Sequence, residues 1–237
     1  MRNSSTILHH LLTPDFSLGS DDGVFGENAQ NGIGRSGPGR KMEKAPRHLV
    51  FVCVSNRGRS VFAEFFFRKM IGEQNERLLD RVKVSSAGYI PRAIKEHVAE
   101  LGIGFPEPFY NRPLPETTRS FLFERGIVVS LDWRSKELTS AMVQEANLIV
   151  TAIPQQKEDL LNLYPSANGE ILTIREISQW NGYLRFEDLS GLPTDNTYWS
   201  YVEEDTDYVA AILAEMEESL TRAFPHILRR LGLGDDS

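Results

Sequence analysis

Apolar residues in this chain follow two spacings, and the two alternate along most of its length. Three short runs have the length and β-branched content of buried strands: Leu49-Val50-Phe51-Val52, Leu148 to Ile153, and Ile171 to Ile174. A fourth, Arg81 to Gly88, alternates and then ends on Ser85-Ser86-Ala87-Gly88. Small residues there permit close backbone approach, as expected beside a ligand crevice. Helical spacing fills the intervals. Val61, Phe62, Phe65, Phe66 and Met70 form one such face, with Ser60 placed to cap it. Ile94, Val98 and Leu101 mark a short helix stopped by Gly102, and Phe121, Leu122 and Arg125 mark one capped by Thr117 or Thr118 and stopped by Gly126. Ser140 to Ala146 is a brief helical segment, and Pro154 opens a helix that carries Leu160, Leu161 and Tyr164 and ends before Pro165. From Tyr201 onward Val209, Ile212, Leu213, Met216, Leu220, Phe224, Ile227, Leu228 and Leu231 trace one face of a long helix, with a kink expected at Pro225. The four prolines of residues 104–115 and the polar stretch 177–200 read as loops. Strands alternating with helices predict an α/β domain over residues 47–232, built on a parallel sheet covered on both faces.

Residues 1–46 differ from this pattern. They are rich in Gly, Ser, Asn and Asp and show no apolar period, so a disordered or flexible tail is expected. Gly32 to Gly37 spells GxGxxG, but no strand precedes it and Pro38-Gly39 follows in place of a helix, so a dinucleotide site is rejected. Met42, just before the patterned region, is the expected physiological start.

Composition narrows the function classes. An apolar fraction of 41% and a charged fraction of 25% are those of an ordinary globular protein. The net charge of −7 argues against a nucleic-acid partner held by phosphate neutralisation, and no apolar run is long enough to span a membrane. A single cysteine cannot form an internal disulfide, which fits a cytoplasmic setting. The five histidines are scattered and Cys53 has no companion ligand, so neither a metal nor another cofactor is expected.

The chemistry concentrates where the first strand meets its helix. Cys53-Val54-Ser55-Asn56-Arg57-Gly58-Arg59-Ser60 gives C-x5-R followed by a hydroxyl. A loop of that length can turn its backbone N–H groups inward around an anion, with the sulfur at its floor. Arg59 can grip two oxygens of a phosphoryl group in a fork that lysine lacks. The helix N-terminus and the arginine together bring a thiol's pKa from about 8.5 into the range of roughly 3.5–7.5, where it is a nucleophile. Attack on phosphorus would then form a phosphocysteine, and Ser60 would steady the sulfur as it leaves. Val54, Ser55, Asn56, Arg57, Gly58 and Ser60 are the expected phosphate-binding positions. No Gly-Lys-Ser/Thr closes the loop, which excludes a Walker A motif.

With Cys53, Asn56, Arg59, Ser60, Ala63 and Glu64 in the order C-x-x-N-x-x-R-S then A-E, this stretch resembles the low-molecular-weight protein tyrosine phosphatases. The similarity continues through Ser85 to Gly88, Arg134 to Leu138, Ala146 to Ile149 and Leu160 to Pro165. The resemblance implies a three-layer α/β/α fold with a four-stranded parallel sheet, and hydrolysis of a phosphotyrosine protein or small aryl phosphate without a cofactor. It also implies an aspartate on a late loop that protonates the leaving phenolate. Asp195 is the choice, with Asp188 in reserve, and Tyr198 and Trp199 are placed to wall an aromatic substrate. The family's usual Asp-Pro pair is missing, since Asn196 follows Asp195. Gly58 stands where many relatives carry a second cysteine, and Arg57 where a small or apolar residue is common, so Arg57 would favour acidic substrates or face solvent. The histidine that often braces the loop is not evident near Asp132-Trp133, and the segment from Tyr89 to Phe121 is longer than usual, which could reshape the pocket rim. Two other readings are kept: an arsenate reductase using an external thiol, and a phosphate- or phosphoprotein-binding module that has lost turnover.

Overall fold

Strand β1 (Arg47–Cys53) is buried at every position but the first, and its neighbours explain why. In the computed structural model, which describes residues 45–182, 184–187 and 206–234, it lies inside a four-stranded parallel sheet of order β2-β1-β3-β4. The others are β2 (Val82–Gly88), β3 (Leu148–Thr151) and β4 (Glu170–Thr173). The period of two sends Leu49, Phe51 and Cys53 to one face and Val50 and Val52 to the other, so a continuous apolar run serves two layers.

On the first face lie α1 (Arg59–Asn75), α3 (Glu116–Phe123), α6 (Ile174–Ser178) and the long α7 (Thr206–Arg230), whose Leu213, Met216, Leu220, Ile227 and Leu228 are buried. Phe67 of α1 is fully buried, with its ring centroid 5.7 Å from Phe51 and 5.1 Å from Phe224, and so fastens helix to sheet and to α7. The second face packs Val143 of α4 (Ser140–Glu145) and Leu160 of α5 (Pro154–Leu163) onto Val50, Val52, Ile149 and Ile171. The remaining helix, α2 (Arg92–Glu100), buries Ile94 and Val98. Three layers with four parallel strands are the architecture expected from the sequence.

Some boundaries differ for local reasons. The fourth strand ends at Thr173 instead of reaching Ile174, because Thr173 forms a capping box with Glu176 and starts α6. That short helix was expected to be loop from residue 177 onward. The third strand likewise stops at Thr151. Neither Thr117 nor Thr118 caps α3, since Pro115 precedes its first turn and Thr118 is buried inside it. Leu101 is 49% exposed and lies beyond α2, although Gly102 does adopt the left-handed φ of +66° that stops it. Pro225 lies within α7. Apart from residues 45 and 46, the expected tail falls outside the described residues.

The chain leaves β1 for β2 on one side and then returns to β3 on the other. The carboxyl ends of β1 and β3 therefore flank the switch point where open α/β sheets form their ligand crevice. Cys53 is the last residue of β1, at that edge.

Candidate active site

Residues Val54 to Gly58 connect the end of β1 to the first turn of α1 in five residues. So short a connection forces a tight loop, and Asn56 takes the left-handed conformation at φ 53° that Asn tolerates better than most residues. Its side chain repays that conformation. The Nδ2 group donates to Ser60 Oγ at 3.0 Å and to Ser86 Oγ at 2.9 Å, while Oδ1 accepts from the Lys136 N–H at 3.0 Å. Asn56 is fully buried and both ends of its amide are satisfied, so it ties the loop to β2 and to the segment before α4.

The expected cap is displaced. Ser60 is the second residue of α1, and Gly58 holds the N-cap position with no side-chain cap. The Ser60 hydroxyl instead lies 3.0 Å from Cys53 Sγ, and both groups are buried. Beneath this pair Ser86 donates to Glu64 Oε2 at 2.6 Å, and the buried Glu64 carboxylate pairs with Arg68 one helical turn on, at 3.1 Å. Ordinary donor rules orient the whole chain. Glu64 as a carboxylate only accepts, so Ser86 donates to it and accepts from Asn56. Ser60 likewise accepts from Asn56, which leaves its one proton for sulfur.

Among the described residues no acceptor meets the backbone N–H groups of Val54, Ser55, Asn56 or Gly58. Unpaired N–H groups in a tight loop that opens a 17-residue helix create a positive hollow suited to an anion. Arg59 is half-buried at the first position of that helix. Cys53, Asn56 and Ser60 are thus joined by hydrogen bonds, with Arg59 at the first position of α1 beside them in the chain.

Arg57 departs from the solvent-facing expectation for it. It is buried, not solvent-facing, and its Nε donates to the Pro113 carbonyl at 3.0 Å. Burial, with the nearby Arg112 guanidinium adding repulsion, brings its pKa down to about 10, so it remains a cation at neutral pH. The segment it holds, Tyr110 to Pro113, lies within the long stretch from Tyr89 to Phe121 that was expected to reshape the pocket rim, but sequence reasoning did not anticipate its bonds to the loop. Tyr110 donates to the Val54 carbonyl at 3.1 Å, and Pro113 bridges antiparallel to Arg134. The one available sign was Phe105, Phe109 and Tyr110 gathered within a proline-rich stretch, since isolated loops do not gather aromatics. Asp195, Asp188, Tyr198 and Trp199 lie outside the described residues. No cluster of three His, Cys, Asp or Glu able to hold a metal ion occurs among the described residues, and none of their helices is long and apolar enough to cross a membrane.

A family model described as "Low molecular weight phosphotyrosine protein phosphatase" matches residues 48–229. A search of curated proteins found no match. Solved structures with this fold include a mutant of YwlE from Bacillus subtilis, 23% identical with a TM-score of 0.51, the match covering 76% of this chain and 98% of that one. The YwlE arginine phosphatase from Geobacillus stearothermophilus is 19% identical with a TM-score of 0.51, over 78% of this chain and 94% of that one. A Drosophila arginine phosphatase, DARP, is 14% identical with a TM-score of 0.53, over 76% and 96%. At these identities the likeness bears on the fold.

Proposed function

The chain belongs to the low molecular weight phosphotyrosine protein phosphatase family, and we propose that it hydrolyses phosphotyrosine through a phosphocysteine on Cys53. The observation that carries this reading is the Cys53 sulfur, buried at the carboxyl end of β1 with the Ser60 hydroxyl 3.0 Å away, at the head of a five-residue loop in which the N–H groups of Val54, Ser55, Asn56 and Gly58 meet no acceptor among the described residues.

The loop N–H groups and Arg59 bind the phosphoryl oxygens, and Cys53 Sγ attacks phosphorus opposite the leaving oxygen. An S–P bond forms as the P–O bond to the tyrosine breaks, and Asp195 gives its proton to the departing phenolate. Water then attacks phosphorus and passes a proton back to Asp195. The S–P bond breaks, phosphate leaves, and the returning thiolate accepts the Ser60 hydrogen bond. Acid–base help of the kind assigned to Asp195 contributes roughly 10²–10⁴-fold. Tyr198 and Trp199 would flank the substrate ring, and Asp188 is the second choice for the acid.

The test is hydrolysis of p-nitrophenyl phosphate at mildly acidic pH by the wild type and by Cys53→Ser, with rapid-quench trapping of a phosphorylated cysteine. Activity that survives the substitution would end the reading, and phosphate binding without turnover would make the protein a binding module. The names of the solved neighbours make phosphoarginine the necessary comparison substrate. Phosphotyrosine peptide is expected to be turned over faster than phosphoarginine peptide, and the reverse order would transfer the assignment.

A further inference from the structure

The strap from Tyr110 to Pro113 lies against the anion loop and is fixed at both ends. Tyr110 donates to the Val54 carbonyl at 3.1 Å, and Arg57 reaches back to the Pro113 carbonyl at 3.0 Å. Between these points the strap exchanges three hydrogen bonds with Ser135. The Asn111 N–H gives to the Ser135 carbonyl at 2.8 Å, the Ser135 N–H to the Arg112 carbonyl at 2.9 Å, and the Arg112 N–H to Ser135 Oγ at 3.1 Å. Asn111 holds a left-handed φ of 63° to make the turn. The Tyr110 ring has little freedom. Phe109 meets it edge-on at 5.1 Å, Phe105 meets Phe109 at 5.3 Å, and its Cε1 lies only 2.4 Å from where a Cβ on Gly88 would stand. A ring so enclosed delivers its hydroxyl to one place, the Val54 carbonyl.

That carbonyl belongs to the peptide shared with Ser55. In a trans peptide the C=O and N–H point in opposite directions. Holding the Val54 oxygen toward Tyr110 therefore turns the Ser55 N–H away from the strap. We propose that Tyr110 is a positioning residue, which fixes the Val54–Ser55 peptide so that the Ser55 N–H meets the bound phosphoryl oxygens and the Cys53 thiolate. Without the phenol the peptide is free to rotate, and its carbonyl would then face the anion. Burial, followed by the charges of Glu137 and Cys53, raises the phenol's pKa, so the group stays a neutral donor at every pH at which the site works. The inference deepens the phosphatase reading and rests on the anion loop at its centre.

Cys53 is the only cysteine in the chain, so alkylation reports on one atom. The experiment follows the pH dependence of iodoacetamide modification in the full-length wild type and Tyr110→Phe, together with inhibition by inorganic phosphate and thermal unfolding by circular dichroism. Loss of one aligned donor is expected to move the alkylation midpoint up by about one pH unit and to raise the phosphate inhibition constant about tenfold, with the unfolding midpoint within a few degrees of wild type. A hydroxyl that only supports the fold would lower the unfolding midpoint and leave the alkylation midpoint in place. That result, or a Tyr110→Phe protein that fails to fold, would overturn the proposal. The phosphatase reading fails separately, through hydrolysis that persists in Cys53→Ser, and the alkylation shift can be read whether or not it does.

Discussion

The hydroxyl of Ser60 stands 3.0 Å from the sulfur of Cys53 and accepts from Asn56, so its proton is available to that sulfur whenever the sulfur is a thiolate, which can only accept. A hydrogen bond to a charged group contributes about 1.5–3 kcal/mol, and that bond exists in full only when the sulfur is a thiolate. It therefore acts on the nucleophile before attack and on the leaving group when the phosphocysteine breaks down. Ser60→Ala is expected to lower kcat roughly 10- to 100-fold and to leave a longer-lived phosphoenzyme. A rapid-quench measurement that finds no accumulated phosphocysteine and an unchanged kcat would remove this role from Ser60.

Asn56 should matter to stability as well as to rate. Asn56→Ala removes the partner of Ser60, Ser86 and the Lys136 N–H together, in a residue with no solvent exposure, and places alanine at φ 53°. Stranded buried polar groups cost about 1–3 kcal/mol each, though shared relaxation keeps the total below their sum, and the left-handed conformation adds about 1 kcal/mol. The variant is expected to lose about 2–4 kcal/mol in urea unfolding along with most of its phosphate affinity. Asn56→Asp would keep the shape but deliver a negative charge to an anion site. It should bind phosphate less well than Asn56→Ala despite its closer shape, and equal binding by the two would argue against an electrostatic reading of the loop.

His48, at the opposite end of β1, sets a pH dependence unrelated to catalysis. It is buried, with Nε2 2.8 Å from Ser85 Oγ and Nδ1 without a partner among the described residues. Burial chiefly, then the charge of Lys83, lowers its pKa from the ordinary 6.5, with Glu145 opposing and Lys136 adding a little. Below that ordinary value the unfolded chain takes up a proton that the folded protein resists. The contribution to stability is therefore full above 6.5 and is lost as pH falls. The urea midpoint of the wild type should decline from pH 7.5 to 5.5 more steeply than that of His48→Gln. Parallel curves would show that the imidazole is not what titrates.

How far the sequence carried these conclusions depended on how local each signal was. The four strands and the order Cys53, Asn56, Arg59, Ser60 were legible because hydrophobic period and loop spacing are properties of adjacent residues. Ser60 misled at the level of capping, since its hydroxyl is recruited by a sulfur seven positions earlier instead of by its own helix. Helix α6 was hidden in the same way. Ile174 continues an apolar run and reads as strand, and only the reciprocal bonds of Thr173 and Glu176 turn the chain. The strap was invisible for a different reason. Its bonds to Val54, Arg57 and Ser135 span 23 to 56 residues, and no periodicity encodes them.

Gly88 brings these threads to one atom. The small residues at the end of β2 were read as room for a ligand, yet the neighbours that crowd Gly88 belong to the protein itself. A Cβ there would lie 2.4 Å from Tyr110 Cε1, 2.8 Å from the Val54 carbonyl and 3.2 Å from the Asn56 nitrogen. The ring is hemmed in by Phe109 and the Val54 oxygen is backbone, so neither yields easily. Gly88→Ala must therefore displace the strap or the loop, which moves the Ser55 and Asn56 N–H groups away from an incoming phosphoryl group. Overpacking of this kind costs typically 1–3 kcal/mol of stability. The loss of phosphate affinity should be the larger effect, about tenfold or more at a temperature where the variant is still folded, because the displaced atoms are those that line the anion hollow. If Gly88→Ala unfolds earlier but binds phosphate as the wild type does, the loop tolerates the shift and the close packing of Tyr110 against Gly88 serves the fold alone.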